Sequence, residues 1–249
     1  MSGTRCRDDG RSPVVLIELR KDGDRIGYCS GSVIGGRSVL SAAHCVEDVD
    51  EVKVRIGGVW QTSKRFVQHP NAKVGDGSIE DPANDLSVIN LPEDSGVPPL
   101  KLVLSPLIEG GDKFSIYGFG QSEENFDRKE ELRSGVMEVT KVRDGYFESY
   151  YGDESSICFG DSGGPAVLVP NGGKVEEPAI VGVASALSLG LPLPLPIQDT
   201  QAVFSPFPLP FPIFGSSCPK GSKTYHAAVY NPSAVGFITD YVPDVGFVE

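Results

Sequence analysis

Glycine and proline are the residues that most constrain the fold of this chain. The 249 residues include 30 glycines and 20 prolines, against roughly 12% for the two together in average usage. Both destabilise helix interiors, glycine through its backbone entropy and proline through its missing N–H and its ring. The composition therefore argues against a helical bundle and favours many short strands joined by tight turns.

Short apolar or alternating segments recur along the chain at lengths typical of strands. In the segment 52–56, valine and isoleucine alternate with charged residues, which predicts a half-buried strand. Further strands are predicted at 13–19, 26–34, 38–43, 85–91, 114–119, 136–142, 165–169 and 180–185. Residues 235–242 have an apolar spacing that predicts a short closing helix. We expect an all-β chain with domains at 1–100 and 101–249, which meet near the proline-rich linker 92–99.

Charge and hydropathy exclude two classes of partner. The 22 basic and 34 acidic residues give a net charge of −12 at pH 7, and an acidic chain repels phosphate backbones, so no nucleic-acid partner is expected. The uncharged segment 178–198 is long enough to span a membrane. Its alternating prolines cannot lie in a helix interior, so no membrane partner is expected. The apolar run 13–19 is interrupted by Glu18, and the chain as given shows no signal peptide.

Three segments carry the residue types that hydrolyse a peptide bond. They are SAAHCV with His44, NDLSVINL with Asp85, and CFGDSGGP with Ser162. Serine is a poor nucleophile until an imidazole accepts its proton, and the imidazole needs a carboxylate on its other nitrogen. Glycines on both sides of Ser162 let the backbone turn sharply. Such a turn can aim the N–H groups of Gly160 and Ser162 at the oxyanion of a tetrahedral intermediate.

These segments resemble those of the trypsin/chymotrypsin-like serine proteases. SGSVIGGRSVLSAAHCV resembles the family's histidine segment, NDLSVINL its aspartate segment, and GDSGGP is its nucleophile motif unaltered. The resemblance implies two antiparallel six-stranded β-barrels with the active site between them. It also implies that His44 is the general base and then the acid, that Asp85 orients it, and that Ser162 is the nucleophile of an acyl-enzyme mechanism.

The resemblance also implies the partners of such an enzyme. The substrate is a protein or peptide, a proteinaceous inhibitor is a further candidate partner, and neither a cofactor nor a metal is expected. We expect a monomer that is secreted, extracellular or periplasmic. The alternative is a catalytically silent, protease-like binding module that docks a partner through a proline-rich loop.

Five cysteines leave at least one without a partner inside the chain. No CxxC pair occurs and only 3 histidines are present, so no zinc site is predicted. Two disulfides and one free thiol would indicate an oxidising compartment. The resemblance implies the pairs Cys29–Cys45 and Cys158–Cys218, which leaves Cys6 unpaired.

The resemblance places a substrate-specificity pocket beside the nucleophile. Ser156 stands where trypsin-like members carry the aspartate that binds lysine or arginine. Ser185 and Leu187 align with the pocket wall, and Leu187 and Ala228 replace glycines that normally leave the pocket open. The resemblance therefore implies a narrow pocket and cleavage after small or medium apolar residues such as alanine, valine or leucine.

Residues 189–217 are a proline-rich insertion relative to the family. Prolines alternate there with leucine and phenylalanine, which favours extended polyproline II structure. Two interpretations stay open: an exosite or lid beside the cleft, or a stiff loop folded onto the barrel.

Asp161 is the buried carboxylate that, in the family, pairs with the amine released by zymogen cleavage. The family's activation site, a basic residue followed by Ile-Val-Gly-Gly, is missing, and Met1 falls near the expected new N-terminus. Either the given sequence lacks its leader and activation segment, which we prefer because it also explains the missing signal peptide, or Asp161 binds another cation. We interpret His69 and His226 as structural, and 76–81 as a solvated acidic loop rather than a calcium site.

Overall fold

The computed structural model describes residues 3–6, 10–75, 78–121, 131–150, 157–170, 173–188 and 223–248. Ser156, Cys218 and the insertion 189–217 therefore lie outside the described residues, as do residues 76 and 77 of the acidic segment. The strands in chain order are β1 Thr4–Arg5, β2 Val14–Lys21, β3 Asp24–Gly35, β4 Ser38–Ser41, β5 Glu51–Ile56, β6 Val59–Ser63, β7 Phe66–Gln68, β8 Lys73–Gly75, β9 Ser78–Asp81, β10 Ser87–Asn90, β11 Lys101–Val103, β12 Lys113–Gly118, β13 Arg133–Val142, β14 Tyr146–Tyr150, β15 Pro165–Leu168, β16 Ala179–Ser188, β17 Lys223–Ala228 and β18 Phe247–Val248. A 3₁₀ helix spans Ala43–Val46 and the helix α1 spans Pro232–Tyr241.

The first sheet contains seven strands in the order β6-β5-β2-β3-β4-β10-β7, all paired antiparallel. Its alternating strand β5 buries the three apolar side chains and leaves the residues between them half-buried, as the sequence predicts. The edge strands β6 and β7 are consecutive in the chain, separated only by residues 64 and 65. The sheet therefore curls until its two edges meet at this corner, where the Ser63 hydroxyl donates to the Asn90 carbonyl at 2.6 Å.

The second sheet closes into a barrel of six strands, β12-β13-β14-β17-β16-β15, because β15 pairs with β12 as well as with β16. These pairings are all antiparallel. Strand β11 adds to β16 in parallel, and β18 adds to β11 in parallel. The all-β architecture is confirmed, with one closed six-stranded barrel and one curled sheet in place of the second closed barrel.

The helix α1 begins three residues before the predicted one because the chain carries a strong start signal there. The Asn231 side chain accepts a hydrogen bond from the N–H of Ala234 at 2.9 Å, and Pro232 occupies the first turn. The buried side chain of Phe237 packs on His69 of the first half, with ring centroids 4.9 Å apart. Among the described helices, none combines the length and apolar character needed to cross a bilayer.

The two halves also contact each other through a small apolar cluster that is separate from the main core. Val14 and Leu16 of β2 meet Phe119 and Leu132 of the second half there. Strand β1 crosses the same boundary, since it pairs antiparallel with β13. These contacts fix the relative position of the two halves, and the candidate site lies where their loops meet.

Candidate active site

His44 and Asp85 form a buried pair at the end of the first half. The 3₁₀ helix Ala43–Val46 carries the histidine, and the turn before β10 carries the aspartate. Nδ1 of His44 lies 2.8 Å from Oδ2 of Asp85, and the backbone N–H of His44 donates to Oδ1 at 2.9 Å. A carboxylate at Nδ1 holds the neutral ring's proton on that nitrogen. Nε2 is then left as a base that can accept a proton.

A serine of the second half completes the environment of the Asp85 carboxylate. The Ser185 hydroxyl donates to Oδ2 at 2.6 Å. Burial alone would raise the pKa of Asp85, but attraction to His44 and the hydrogen bonds from His44 and Ser185 lower it overall. The carboxylate therefore stays ionised at neutral pH although it is fully buried. Sequence reasoning placed Ser185 only in a pocket wall and missed this contact.

The loop 157–164 carries the predicted nucleophile Ser162 and adopts a conformation that requires glycine. Gly160 and Gly163 have φ angles of +95° and +81°, which residues with a Cβ rarely adopt. A Cβ at Gly163 would also come closer than 3.0 Å to the Ser41 hydroxyl. The N–H of Gly163 donates to the carbonyl of Ala184 at 2.8 Å. The loop is thus packed against the segment leading to His44 and against the strand that carries Ser185.

Some amide groups of this loop are hydrogen-bonded and others are not. The N–H groups of Asp161, Gly163 and Gly164 donate to backbone carbonyls at 2.8–3.0 Å. Within the described part of the chain, the N–H groups of Gly160 and Ser162 have no hydrogen-bond acceptor. A pair of free donors two residues apart on a tight turn is the arrangement that an oxyanion-binding site requires.

Asp161 is buried beneath the loop, with 1% of its surface exposed. Its carboxylate accepts the N–H of Gly120 at 2.8 Å and that of Cys158 at 2.9 Å. Burial raises the pKa of Asp161, and these hydrogen bonds partly oppose the shift. A Cβ at Gly118 or Gly120 would overlap this carboxylate, which accounts for both glycines. The cation that balances Asp161 stays a prediction.

The disulfide predicted beside His44 is confirmed. Cys29 and Cys45 are joined with their Cα atoms 6.2 Å apart, which ties β3 to the 3₁₀ helix. Cys158 is also disulfide-bonded, and its predicted partner lies outside the described residues. Cys6 is free and half-buried.

One group of residues in the described ranges brings together side chains that could ligate a metal: Cys29, His44 and Cys45. The two sulfur atoms of this group are bonded to each other, and a disulfide offers no thiolate to a metal ion. The histidine is bonded through Nδ1 to Asp85. The chemistry of these donors therefore fits acid–base work rather than metal ligation.

The predicted specificity residues are not all brought together. Leu187 is half-buried and pairs with Thr224, whereas the fully buried Ala228 pairs with Gly182 at the other end of β17. Thr224 and Ala228 are four residue steps apart along the strand, or about 13 Å at the usual rise per residue. The two side chains proposed to narrow one pocket therefore lie apart.

The two other histidines have contacts that fit the structural interpretation. His226 is fully buried, stacks on Phe147 at 4.7 Å, and lies 2.8 Å through Nε2 from the Ser149 hydroxyl. Burial lowers the pKa of His226 to about 3, so the ring is neutral. His69 bonds through Nε2 to the carbonyl of Ser233 at 3.2 Å, and burial lowers its pKa as well.

Comparison with known proteins identifies the family. The family model for trypsin matches residues 2–190. The chain belongs to the trypsin family. A collagenase of Hypoderma lineatum is 27% identical over 199 residues, covering 69% of this chain and 70% of that protein. Mast cell protease 2 of Meriones unguiculatus is 25% identical over 193 residues, covering 66% and 74% respectively.

A solved structure supports the same fold. The structure of HL collagenase superposes with a TM-score of 0.68 at 21% identity and covers 97% of each chain. Together with the family membership, this makes the chain a trypsin-like serine endopeptidase whose substrates are proteins or peptides.

Proposed function

We propose that this trypsin-family member cleaves peptide bonds through an acyl-enzyme formed on Ser162, with His44 and Asp85 completing the catalytic triad. The observation that carries the proposal is the buried hydrogen bond of 2.8 Å between His44 Nδ1 and Asp85 Oδ2. It leaves Nε2 as the basic nitrogen of the ring. It also supplies the negative charge that stabilises the imidazolium formed when that nitrogen takes a proton.

The proposed reaction has two halves. Ser162 Oγ attacks the substrate carbonyl while Nε2 of His44 accepts the hydroxyl proton, and the imidazolium then protonates the leaving amine as the C–N bond breaks. Water next attacks the acyl-enzyme, giving its proton to His44, and the proton returns to Ser162 as the acid leaves. Asp85 stays ionised throughout, in keeping with its lowered pKa.

We assign the oxyanion site to the N–H groups of Gly160 and Ser162. Both lack acceptors within the described residues, while the amides of Asp161 and Gly163, which alternate with them along the loop, are bonded. They are therefore free to donate to the oxygen of each tetrahedral intermediate. One such donor typically contributes about 3 kcal/mol to transition-state stabilisation.

Substrate preference, partners and location complete the proposal. We propose cleavage after small or medium apolar residues in a pocket that includes Ser156, Ser185 and Leu187. Ala228 contributes less to this pocket, because it pairs with Gly182 rather than lying opposite Leu187. We also propose domains at 1–100 and 101–249, a monomer, and control by a proteinaceous inhibitor. Secretion is supported by the Cys29–Cys45 disulfide, because such bonds persist in oxidising compartments.

Labelling with a fluorophosphonate probe tests the catalytic proposal. The wild type is expected to be labelled and to cleave peptides, whereas Ser162→Ala should lose labelling and at least about 10³-fold of kcat/KM. Ser105→Ala alters an exposed serine of the second half and should behave as wild type. Equal labelling of wild type and Ser162→Ala, or cleavage that survives in Ser162→Ala, would overturn the assignment. A panel of chromogenic peptides tests the preference, and fastest turnover of an arginine or lysine substrate would contradict it.

A further inference from the structure

The hydroxyl of Ser30 reaches from the first half of the molecule to the loop that carries Ser162. Ser30 lies in β3, follows the disulfide-bonded Cys29, and is fully buried. Its Oγ donates to the carbonyl of Gly160 at 2.9 Å. The N–H of Phe119 donates to the same Oγ at 3.0 Å. Because Phe119 supplies a hydrogen to this oxygen, the hydroxyl hydrogen is directed at Gly160.

The peptide group that follows Gly160 is thereby held at both ends. Ser30 binds its carbonyl, and its N–H, which belongs to Asp161, donates to the carbonyl of Cys158 at 3.0 Å. Gly160 has a φ of +95°, and a glycine has many alternative conformations of similar energy. External hydrogen bonds are what select one of them.

Ser30 also holds the second residue of the proposed oxyanion site. Its backbone N–H donates to the carbonyl of Ser162 at 2.8 Å. The following N–H, that of Gly163, donates to Ala184 at 2.8 Å, so this peptide group is fixed as well. Ser30 thus contacts the carbonyls of both residues of the proposed oxyanion site, Gly160 and Ser162.

The two contacts differ in what they demand of the side chain. Any residue except proline would supply the backbone bond to Ser162. The bond to Gly160 needs a hydroxyl at position 30. Gly164 lies beside Ser30, since a Cβ placed on Gly164 would come 3.3 Å from the Ser30 Cβ.

We propose that Ser30 is a positioning residue of this protease, whose hydroxyl orients the free N–H groups of the oxyanion site through the carbonyl of Gly160. The inference rests on the proposed function of Ser162 and of that site. Ser30 does not touch the reacting atoms. Its effect is expected on transition-state stabilisation, and therefore on kcat rather than KM.

Three variants of Ser30 and a matched control test this inference. Ser30→Ala removes the hydroxyl and keeps the backbone bond, Ser30→Gly does the same with less bulk, and Ser30→Thr restores a hydroxyl. Ser32→Ala is the control, since Ser32 is a buried serine two residues along the same strand. We expect kcat to fall about tenfold in Ser30→Ala and Ser30→Gly with KM within about twofold, and Ser30→Thr to recover most of the loss.

Binding of a peptide boronate, whose adduct with the nucleophile places an oxygen in the oxyanion site, gives a second readout. Its affinity should fall by the same factor as kcat in Ser30→Ala and stay unchanged in Ser32→Ala. A folded Ser30→Ala or Ser30→Gly variant with the kcat of the wild type would overturn the inference. A rise in KM with unchanged kcat in these variants would overturn it as well. If Ser30→Ala does not fold, the same result is required of Ser30→Gly, and failure of both to fold overturns a purely positioning role. A Ser162→Ala variant that remains active would instead overturn the proposed function.

Discussion

Replacing Gly163 by alanine tests how tightly the nucleophile loop is held between the two halves. A Cβ at this position would lie closer than 3.0 Å to both the Ser41 hydroxyl and the Ser30 carbonyl, and 3.1 Å from the N–H nitrogen of Ala42. One of these neighbours is backbone of a central strand, so the loop rather than the sheet must move, by roughly 1 Å. A misplacement of that size at a reacting group can cost about 10²-fold in rate. The φ of +81° adds a strain of about 1 kcal/mol or more for alanine.

Gly23→Ala separates the clash from the strain. Gly23 has a φ of +86° but nothing within 4 Å of the position its Cβ would take. We expect Gly23→Ala to lose about 1 kcal/mol of unfolding free energy in urea titrations and to keep its kcat/KM. Gly163→Ala should lose at least about 10²-fold in kcat/KM on the same peptide substrate. If kcat/KM of Gly163→Ala lay within tenfold of kcat/KM of Gly23→Ala, this would refute the idea that the contact with the first half sets the position of the loop.

Two further predictions concern buried hydrogen bonds. Ser185→Ala removes a 2.6 Å hydrogen bond to the buried Asp85 carboxylate, so kcat/KM should fall by roughly 10- to 100-fold. An unchanged kcat/KM in steady-state kinetics would contradict the role given to this contact. His226 has a pKa lowered from 6.5 to about 3 by burial, so the unfolded chain binds more protons and stability falls as the pH drops from about 6.5 towards 3. His226 alone should make the free energy of unfolding fall by up to about 1.4 kcal/mol per pH unit in this range. Urea unfolding of His226→Gln should therefore show a weaker dependence of that free energy on pH than the wild type does. An identical pH dependence of the unfolding free energy in the two proteins would show that a group other than His226 causes it.

The catalytic candidates were predictable from sequence because each lies in a short segment whose composition reflects its chemistry. His44 and Asp85 are 41 residues apart, yet the carboxylate, the imidazole and the glycine-flanked serine are each identifiable without knowing the pairing. The strands β2, β3 and β5 were predicted for a similar reason, since their apolar patterns depend only on local sequence.

The missed features depend on contacts that no local pattern contains. Ser185 meets Asp85 across 100 residues of chain, and Ser30 meets Gly160 across 130. The pairing of β16 with β17 shifts register between Ala184 and Ala186. The antiparallel register sets Leu187 opposite Thr224 and Ala228 opposite Gly182. Counting residues along the chain does not give that register, so it placed Ala228 in the same wall as Leu187.

The ends of the described chain cross over between the halves, and this has a consequence for cleavage of the connecting segment. The first strand β1 adds to the second sheet, while the last helix packs its Phe237 on His69 of the first half. The N-terminal strand, which precedes the first half in sequence, therefore packs on the second half, and the C-terminal helix, which follows the second half, packs on the first. A single cut within 92–99 would yield two polypeptides that remain assembled, so a nicked molecule would migrate as one species under native conditions and as two fragments only after denaturation.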